Sequence, residues 1–217
     1  MTSITGQAPS SRPSAASIER LATGLTGQII RPQDAGYDAA RTVFSGDIDR
    51  RPAIIARVAG ATDVARVVSF AREQGVPLAI RSGGHGLGFG ACEGGVVLDL
   101  REMKGLEIDV DGRTAWAQTG LTATEYTTTV GAHGLATSFG DTGSVGIGGI
   151  TLGGGIGYLV RKHGMTVDAL LAADVVTVDG EVIRVDAERH PDLFWAIRGG
   201  GGNFGVATRF LYLLEAI

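Results

Sequence analysis

The chain has 217 residues, 44% of them apolar, with a net charge of −4 and a pI near 5.5. That length suits one large domain or two small ones, and the apolar share excludes a wholly disordered chain. The acidic balance, without any Lys/Arg cluster, argues against nucleic acid as a partner, and no apolar run nears the roughly 20 residues of a membrane helix.

Residues 1–16, rich in Ser, Thr, Pro and Ala, read as a frayed leader without the basic start and apolar stretch of a signal peptide. Ser17 to Leu25 reads as a short helix with Ile18, Leu21, Ala22 and Leu25 on one side. A strand follows over Ala53–Val58. A helix comes next, with Thr62 expected as N-cap, Asp63 at its positive end and Gly75 as its stop. The strand Val76–Ile80 completes a strand–helix–strand unit whose two strands should be parallel. Val96–Leu100 is a third strand. Leu106–Val110 and Arg113–Gln118 form a hairpin about Asp111-Gly112. Residues 122–133 are helical, with Ala123, Tyr126 and Val130 on one side. Leu171–Val178 and Glu181–Val185 form a second hairpin, Pro191–Arg198 a short helix, and Val206–Leu214 a last strand. That strand reads as a bare apolar edge at the chain end, a liability that leads us to expect more protein beside it. The fold class is α+β. The expected division is a leader and short helix over 1–34, a first subdomain over 35–105 and a second over 106–217.

Glycine is the outlier. Thirty-five residues are glycine, against a usual ~7% of a chain. Seven of them fall in 83–95 and nine in 140–157. Both clusters alternate with Val, Ile and Leu, which linkers lack, so they read as loops that hug a ligand. The first centres on Arg81-Ser82-Gly83-Gly84-His85-Gly86, directly after a strand. Glycine lets backbone N–H groups approach a ligand, and successive N–H groups make an anion-binding nest. A histidine at its rim can meet whatever carries the anion. His133, His163 and His190 are scattered and read as surface or core. No HExxH or CxxC spacing offers a metal site, and no Walker loop is present. Gly200-Gly201-Gly202-Asn203-Phe204-Gly205 matches the dinucleotide fingerprint literally, but a helix precedes it and a strand follows, the reverse of the Rossmann order. A nicotinamide-binding protein is therefore the weakest reading. The single cysteine, Cys92, cannot form an internal disulfide and fits a reducing, cytoplasmic setting.

The His85 segment resembles the flavin-attachment motif of the berberine-bridge-enzyme-like and 6-hydroxynicotine-oxidase-like oxidoreductases, within the vanillyl-alcohol-oxidase/PCMH-type FAD-binding superfamily. Gly146-Ile147-Gly148-Gly149-Ile150-Thr151-Leu152-Gly153-Gly154-Gly155-Ile156-Gly157 is similar to that family's second flavin loop. Arg161–Asp168 and Asp192–Val206 resemble its later blocks, so the likeness covers about 35–215. It implies a PCMH-type fold of two α/β subdomains with mixed sheets. It implies an FAD held through the 8α carbon by His85, with Arg81, Ser82, Gly83, Gly84, Gly86 and Leu87 around the pyrophosphate. Thr142, Gly143, Ser144, Gly146, Gly149 and Ile150 would lie near the isoalloxazine, Gly155 would also bind the cofactor, and Val206 would lie near the adenine-ribose end. Thr142 stands where some members carry a second flavin-linking cysteine, which implies a single bond through His85. Ile150 stands where members often have histidine.

The implied function is FAD-dependent oxidation of a small-molecule substrate with oxygen as acceptor. The C-terminal substrate domain of the family is absent from these residues, and with it the usual catalytic base, the choice of substrate and any sign of oligomeric state. Asp141 and Tyr158 are the available bases, but each also reads as a loop cap or a packing ring, so no catalytic residue is assigned. The alternative is a non-catalytic FAD-binding remnant that needs a missing domain or partner.

Overall fold

The computed structural model describes residues 12–86 and 90–217. Leu87 and the leader up to residue 11 lie outside the described residues. Helix α1 (Ala15–Gly24) starts before Ser17, because the side chain of Ser14 accepts from the Ser17 N–H and caps it. Strand β1 (Gln28–Ile30) and helix α2 (Tyr37–Arg41) follow. Then come β2 (Ile54–Arg57), α3 (Ala61–Gln74), β3 (Leu78–Arg81) and β4 (Val96–Asp99).

These strands form one sheet in the order β1-β2-β4-β3. The pairs β2–β4 and β4–β3 are parallel, and β1 is antiparallel to β2. The expected strand–helix–strand unit is thus parallel, but β4 lies between its two strands. Val96-Val97-Leu98-Asp99 is buried at every position, as suits a strand covered on both faces. On one face Ile54, Ala56, Val96 and Leu98 pack with Val64 and Val67 of α3 and Leu21 of α1. On the other, Ile55, Ala79 and Val97 pack with Tyr37 and Ala40 of α2. Helix α1, the short helix expected within 1–34, packs on this lobe through Leu21, and β1, not anticipated from sequence, pairs with β2.

Helix α3 is entered through Gly60 and not capped by Thr62. Asp63 lies in the first turn as expected, and its buried carboxylate also accepts from the N–H groups of Thr26, Gly27 and Ala59. Thr26 and Gly27 lie in the loop between α1 and β1, and Ala59 just before α3. Gly75, at φ 61°, closes the helix as expected.

The second lobe runs β5 (Leu106–Asp109), β6 (Thr114–Gln118), α4 (Ala123–Gly131), β7 (Leu135–Ala136), α5 (Ile147–Leu152) and α6 (Val160–His163). It continues with β8 (Leu170–Val176), β9 (Val182–Asp186), α7 (Pro191–Ile197), β10 (Val206–Leu213) and β11 (Glu215–Ala216). The main sheet is antiparallel throughout, in the order β5-β6-β10-β8-β9. The last long strand, expected as an edge, is its centre: β10 pairs β6 on one side and β8 on the other. Its apolar run is explained by that position and leaves no bare edge. One face packs Ala117, Ala173, Val175, Phe210 and Tyr212 against Tyr126 and Val130 of α4 and Phe194 and Ile197 of α7. On the outer face Arg184 and Arg209 lie 4.4 and 4.5 Å from the centre of the Trp116 ring. Both also bond to Asp174. Among the described residues no helix is long and apolar enough to cross a membrane, and no group of His, Cys, Asp and Glu could hold a metal.

The lobes share a boundary. Val176 and Val206 of the second lobe pack into the core of the first. The glycine loops cross at that boundary.

Candidate functional site

The loop after β3 is fixed from below by Arg81. Its side chain is only 1% exposed. Nε donates to the Gly90 carbonyl at 2.8 Å, Nη1 to that of Ala40, and Nη2 to that of Arg41 at 3.2 Å. Burial pushes its pKa below the usual guanidinium value, with Asp99 partly opposing. Expected among the residues around a pyrophosphate, this guanidinium is instead committed to three carbonyls of its own chain. Anion donors in this loop must then come from its backbone.

The backbone is arranged for that. Gly84 adopts φ 78°, a conformation that suits glycine. The N–H groups of Gly84 and His85 find no acceptor among the described residues. Ser82 turns the other way: its hydroxyl donates to the Thr119 carbonyl at 2.6 Å and accepts from the Gly148 N–H at 3.3 Å.

The second glycine loop meets the first without side chains between them. A Cβ on Gly83 would lie 2.2 Å from the Gly146 nitrogen, and one on Gly146 would lie 2.2 Å from the Gly83 nitrogen. The loop 140–146 is held in place by α4, where Thr124 N–H donates to Gly143 at 2.9 Å and Ala123 N–H to Val145 at 2.8 Å. A Cβ on Gly143 would strike the Thr124 hydroxyl, and one on Gly155, at φ 76°, would strike that of Thr166. These glycines therefore serve backbone packing. Gly149 differs: it is exposed on α5, and a Cβ there would meet nothing within 4 Å.

His85 is half-buried where the loops meet. Its imidazole lies nearly parallel to the Phe44 ring, with centroids 4.2 Å apart and planes 18° apart. Phe44 is 69% exposed, and its N–H donates to the Gly84 carbonyl at 3.0 Å. Nε2 of His85 is 3.1 Å from the Ser144 hydroxyl. A serine–histidine pair at this distance can activate a nucleophile, but a hydrolase needs a carboxylate behind the ring. Among the described residues Nδ1 of His85 has no such partner.

Of the remaining expected residues, Thr142 is exposed and its hydroxyl donates to Asp141 at 3.0 Å. Ile150 is half-buried and packs against the second core. Val206 is 3% exposed with its side chain in the first-lobe core, so any contact of it with a nucleotide is through backbone. Tyr158 is 86% exposed, so it does not act as a packing ring. A cleft of about 340 Å³ opens beyond the 140–143 loop, among Thr127, Thr137, Thr142 and Tyr158, but neither His85 nor Ser144 lines it. The Gly200–Gly205 run forms a turn between α7 and β10, where a Cβ on Gly205 would strike Val175 and Val176. It seats one backbone on another and is no Rossmann site. Phe44 was not anticipated from sequence; its only signal is a lone aromatic in the polar stretch Ser45-Gly46-Asp47 that follows it.

Backbone donors at Gly84 and His85 and an imidazole Nδ1 that have no partner among the described residues, with a glycine-thin floor at Gly149, fit a flavin dinucleotide. The comparisons agree. Residues 52–186 match the family model described as an FAD binding domain. The (R)-6-hydroxynicotine oxidase of Paenarthrobacter nicotinovorans is 41% identical over 192 residues, covering 87% of this chain and 42% of that protein. The crystal structure of 6-hydroxy-D-nicotine oxidase from Arthrobacter nicotinovorans superposes with a TM-score of 0.87 at 39% identity, over 88% of this chain and 43% of that one. A structure of glucooligosaccharide oxidase from Acremonium strictum, described with a 6-S-cysteinyl, 8α-N1-histidyl FAD, gives 0.86 at 32% identity, over 92% and 43%. The chain thus spans less than half the length of the relatives it matches.

Proposed function

This chain belongs to the FAD-binding-domain family of FAD-linked oxidoreductases, and from that premise we propose that it is the flavin-holding portion of an oxidase whose FAD is bound covalently by His85 alone. The observation that carries the reading is the His85 imidazole, set on a glycine loop whose Gly84 and His85 N–H groups, like Nδ1, have no partner among the described residues. When bound, FAD would supply hydride acceptance from a small-molecule substrate and electron transfer to oxygen. The chain's own residues bind and orient. The backbone of 82–86 would take the pyrophosphate, and Gly149 would let the ring lie close to α5. Gly83 and Gly146 hold the two loops together.

Thr142 offers a hydroxyl and no thiol, which supports a single covalent bond. Cys92 is half-buried on the α2 side of the first sheet, where burial raises its thiol pKa; it is no candidate for a second bond. As the only cysteine it also suits a reducing, cytoplasmic setting. The substrate and its base belong to the portion of the relatives that these residues do not span. The test is optical. Purified protein should be yellow, its flavin fluorescence should stay with the denatured polypeptide, and His85→Ala should release it. Colourless wild-type protein that takes up no FAD would refute the reading.

A further inference from the structure

We propose that Ser144 and Phe44 are positioning residues for His85, which together present Nδ1 as the nitrogen that bonds to the flavin. The inference rests on the covalent reading above and deepens it.

A histidine on a surface loop has two soft torsions, and a half-turn about the second exchanges Nδ1 with Cδ2 and Nε2 with Cε1. The two neighbours restrain the ring in different ways. Phe44 lies parallel to its face at 4.2 Å. That contact fixes the plane but does not distinguish the ring from its flipped copy, since both present the same face. Ser144 meets one edge, at 3.1 Å from Nε2. After a flip the hydroxyl would face a carbon and the bond would be lost. So the plane comes from Phe44 and the choice of edge from Ser144. Both are anchored: Phe44 through its N–H on Gly84, and Ser144 between Gly143 and Val145, whose carbonyls are held by α4.

A hydroxyl can donate or accept, so the contact admits both tautomers, and we take the one in which Nε2–H donates. With Nε2–H donating to Ser144, the lone pair stays on Nδ1, which has no partner among the described residues. In the net reaction a new bond joins Nδ1 to the 8α carbon of FAD. That carbon and the imidazole each give up one hydrogen, and two electrons and two protons reduce one dioxygen to hydrogen peroxide. The hydrogen lost from His85 is the Nε2 proton, which leaves through the exposed Ser144 hydroxyl to water.

The test uses flavin-free protein mixed with FAD in air. Three quantities are read: the rate at which flavin becomes acid-stable on the polypeptide, the affinity for FAD before attachment, and the attachment nitrogen, by NMR of the flavin peptide. Ser144→Ala should slow attachment about tenfold, the scale of one hydrogen bond lost from a committed geometry. Read at saturating FAD, it should give a mixture of Nδ1 and Nε2 products. Ser144→Thr should restore both rate and isomer. Phe44→Ala should slow attachment without mixing isomers. A Ser144→Ala protein that attaches flavin at the wild-type rate, through Nδ1 only, would overturn the inference and leave the covalent reading intact. Wild-type attachment through Nε2 would do the same. Wild-type protein that binds FAD but never attaches it would instead overturn the covalent reading, and the inference with it.

Discussion

Gly146 and Gly149 lie three residues apart and should fail in opposite ways. Gly146 has φ −72° and ψ 134°, which any residue can adopt. An alanine there carries no backbone penalty, so its cost is purely steric. Its Cβ would fall 2.2 Å from the Gly83 nitrogen and 2.4 Å from the Ser82 hydroxyl. Ordinary contact needs about 3.5 Å, so the two loops must part by roughly 1 Å. Forced insertion into a packed contact costs about 1–3 kcal/mol. For a chain of this size that lowers the melting temperature by about 2–4 °C per kcal/mol. The parted loops should also lose flavin, since 82–86 moves relative to α5. Gly149→Ala meets nothing within 4 Å in the protein. On a helix it should hold or raise the stability of flavin-free protein, by up to about 1 kcal/mol. It should nevertheless weaken FAD binding, because the methyl enters the space assigned to the ring. The assay is a thermal melt of flavin-free protein beside a titration with FAD. A Gly146→Ala protein that melts with the wild type, or a Gly149→Ala protein that binds FAD normally, would refute the reasoning.

Three further outcomes follow from the same geometry. Arg81→Met leaves the carbonyls of Gly90, Ala40 and Arg41 without their donor and should cost about 1–3 kcal/mol for each one left buried and unpaired, read in urea unfolding; Arg81→Lys should not rescue it, since an ammonium cannot reproduce the guanidinium fork, and wild-type stability in either variant would count against the structural role. Thr122→Ala removes the capping box in which Thr122 accepts from the Glu125 N–H and Glu125 accepts from that of Thr122; the expected loss is about 1 kcal/mol, read as a lower melting temperature with FAD affinity kept. Asp99 is fully buried, and burial works to raise its pKa, but hydrogen bonds from Arg101 and the charges of Arg101 and Arg57 outweigh it and hold the carboxyl below its usual value. A depressed folded value means that the stabilisation is present above the unfolded pKa of about 4 and is lost as pH falls through the folded value; Asp99→Asn should therefore flatten the acid limb of a stability–pH profile, and an unchanged limb would contradict the assignment.

The sequence made the local elements legible because their signals are local. Tyr126 and Val130 sit at helical spacing, and Asp111-Gly112 and Asp179-Gly180 mark hairpins that form as expected. What it hid was long-range. Nothing in Val96–Asp99 says that this strand inserts between β2 and β3, and nothing in Val206–Leu213 separates a central strand from an edge, since both read as apolar runs. Asp63 reads correctly as a helix-end charge, but its bonds to Thr26 and Gly27 are hidden because those donors are far away in the chain. The site divides in the same way. The glycine runs and His85 announce a ligand loop through composition alone. The pairing of Gly83 with Gly146, the stacking of Phe44 on His85 and the carbonyl partners of Arg81 depend on chain segments that meet only in the fold. Arg81 and Val206 were grouped with the ligand by their place in a motif; their side chains are buried in the protein.

Mass spectrometry of the intact protein, followed by peptide mapping, tests the flavin tether most directly. The expected result is one added FAD mass, located on the peptide that contains His85 and absent from His85→Ala. Protein that binds FAD yet shows the bare polypeptide mass after denaturation, or an adduct on any other residue, would contradict it.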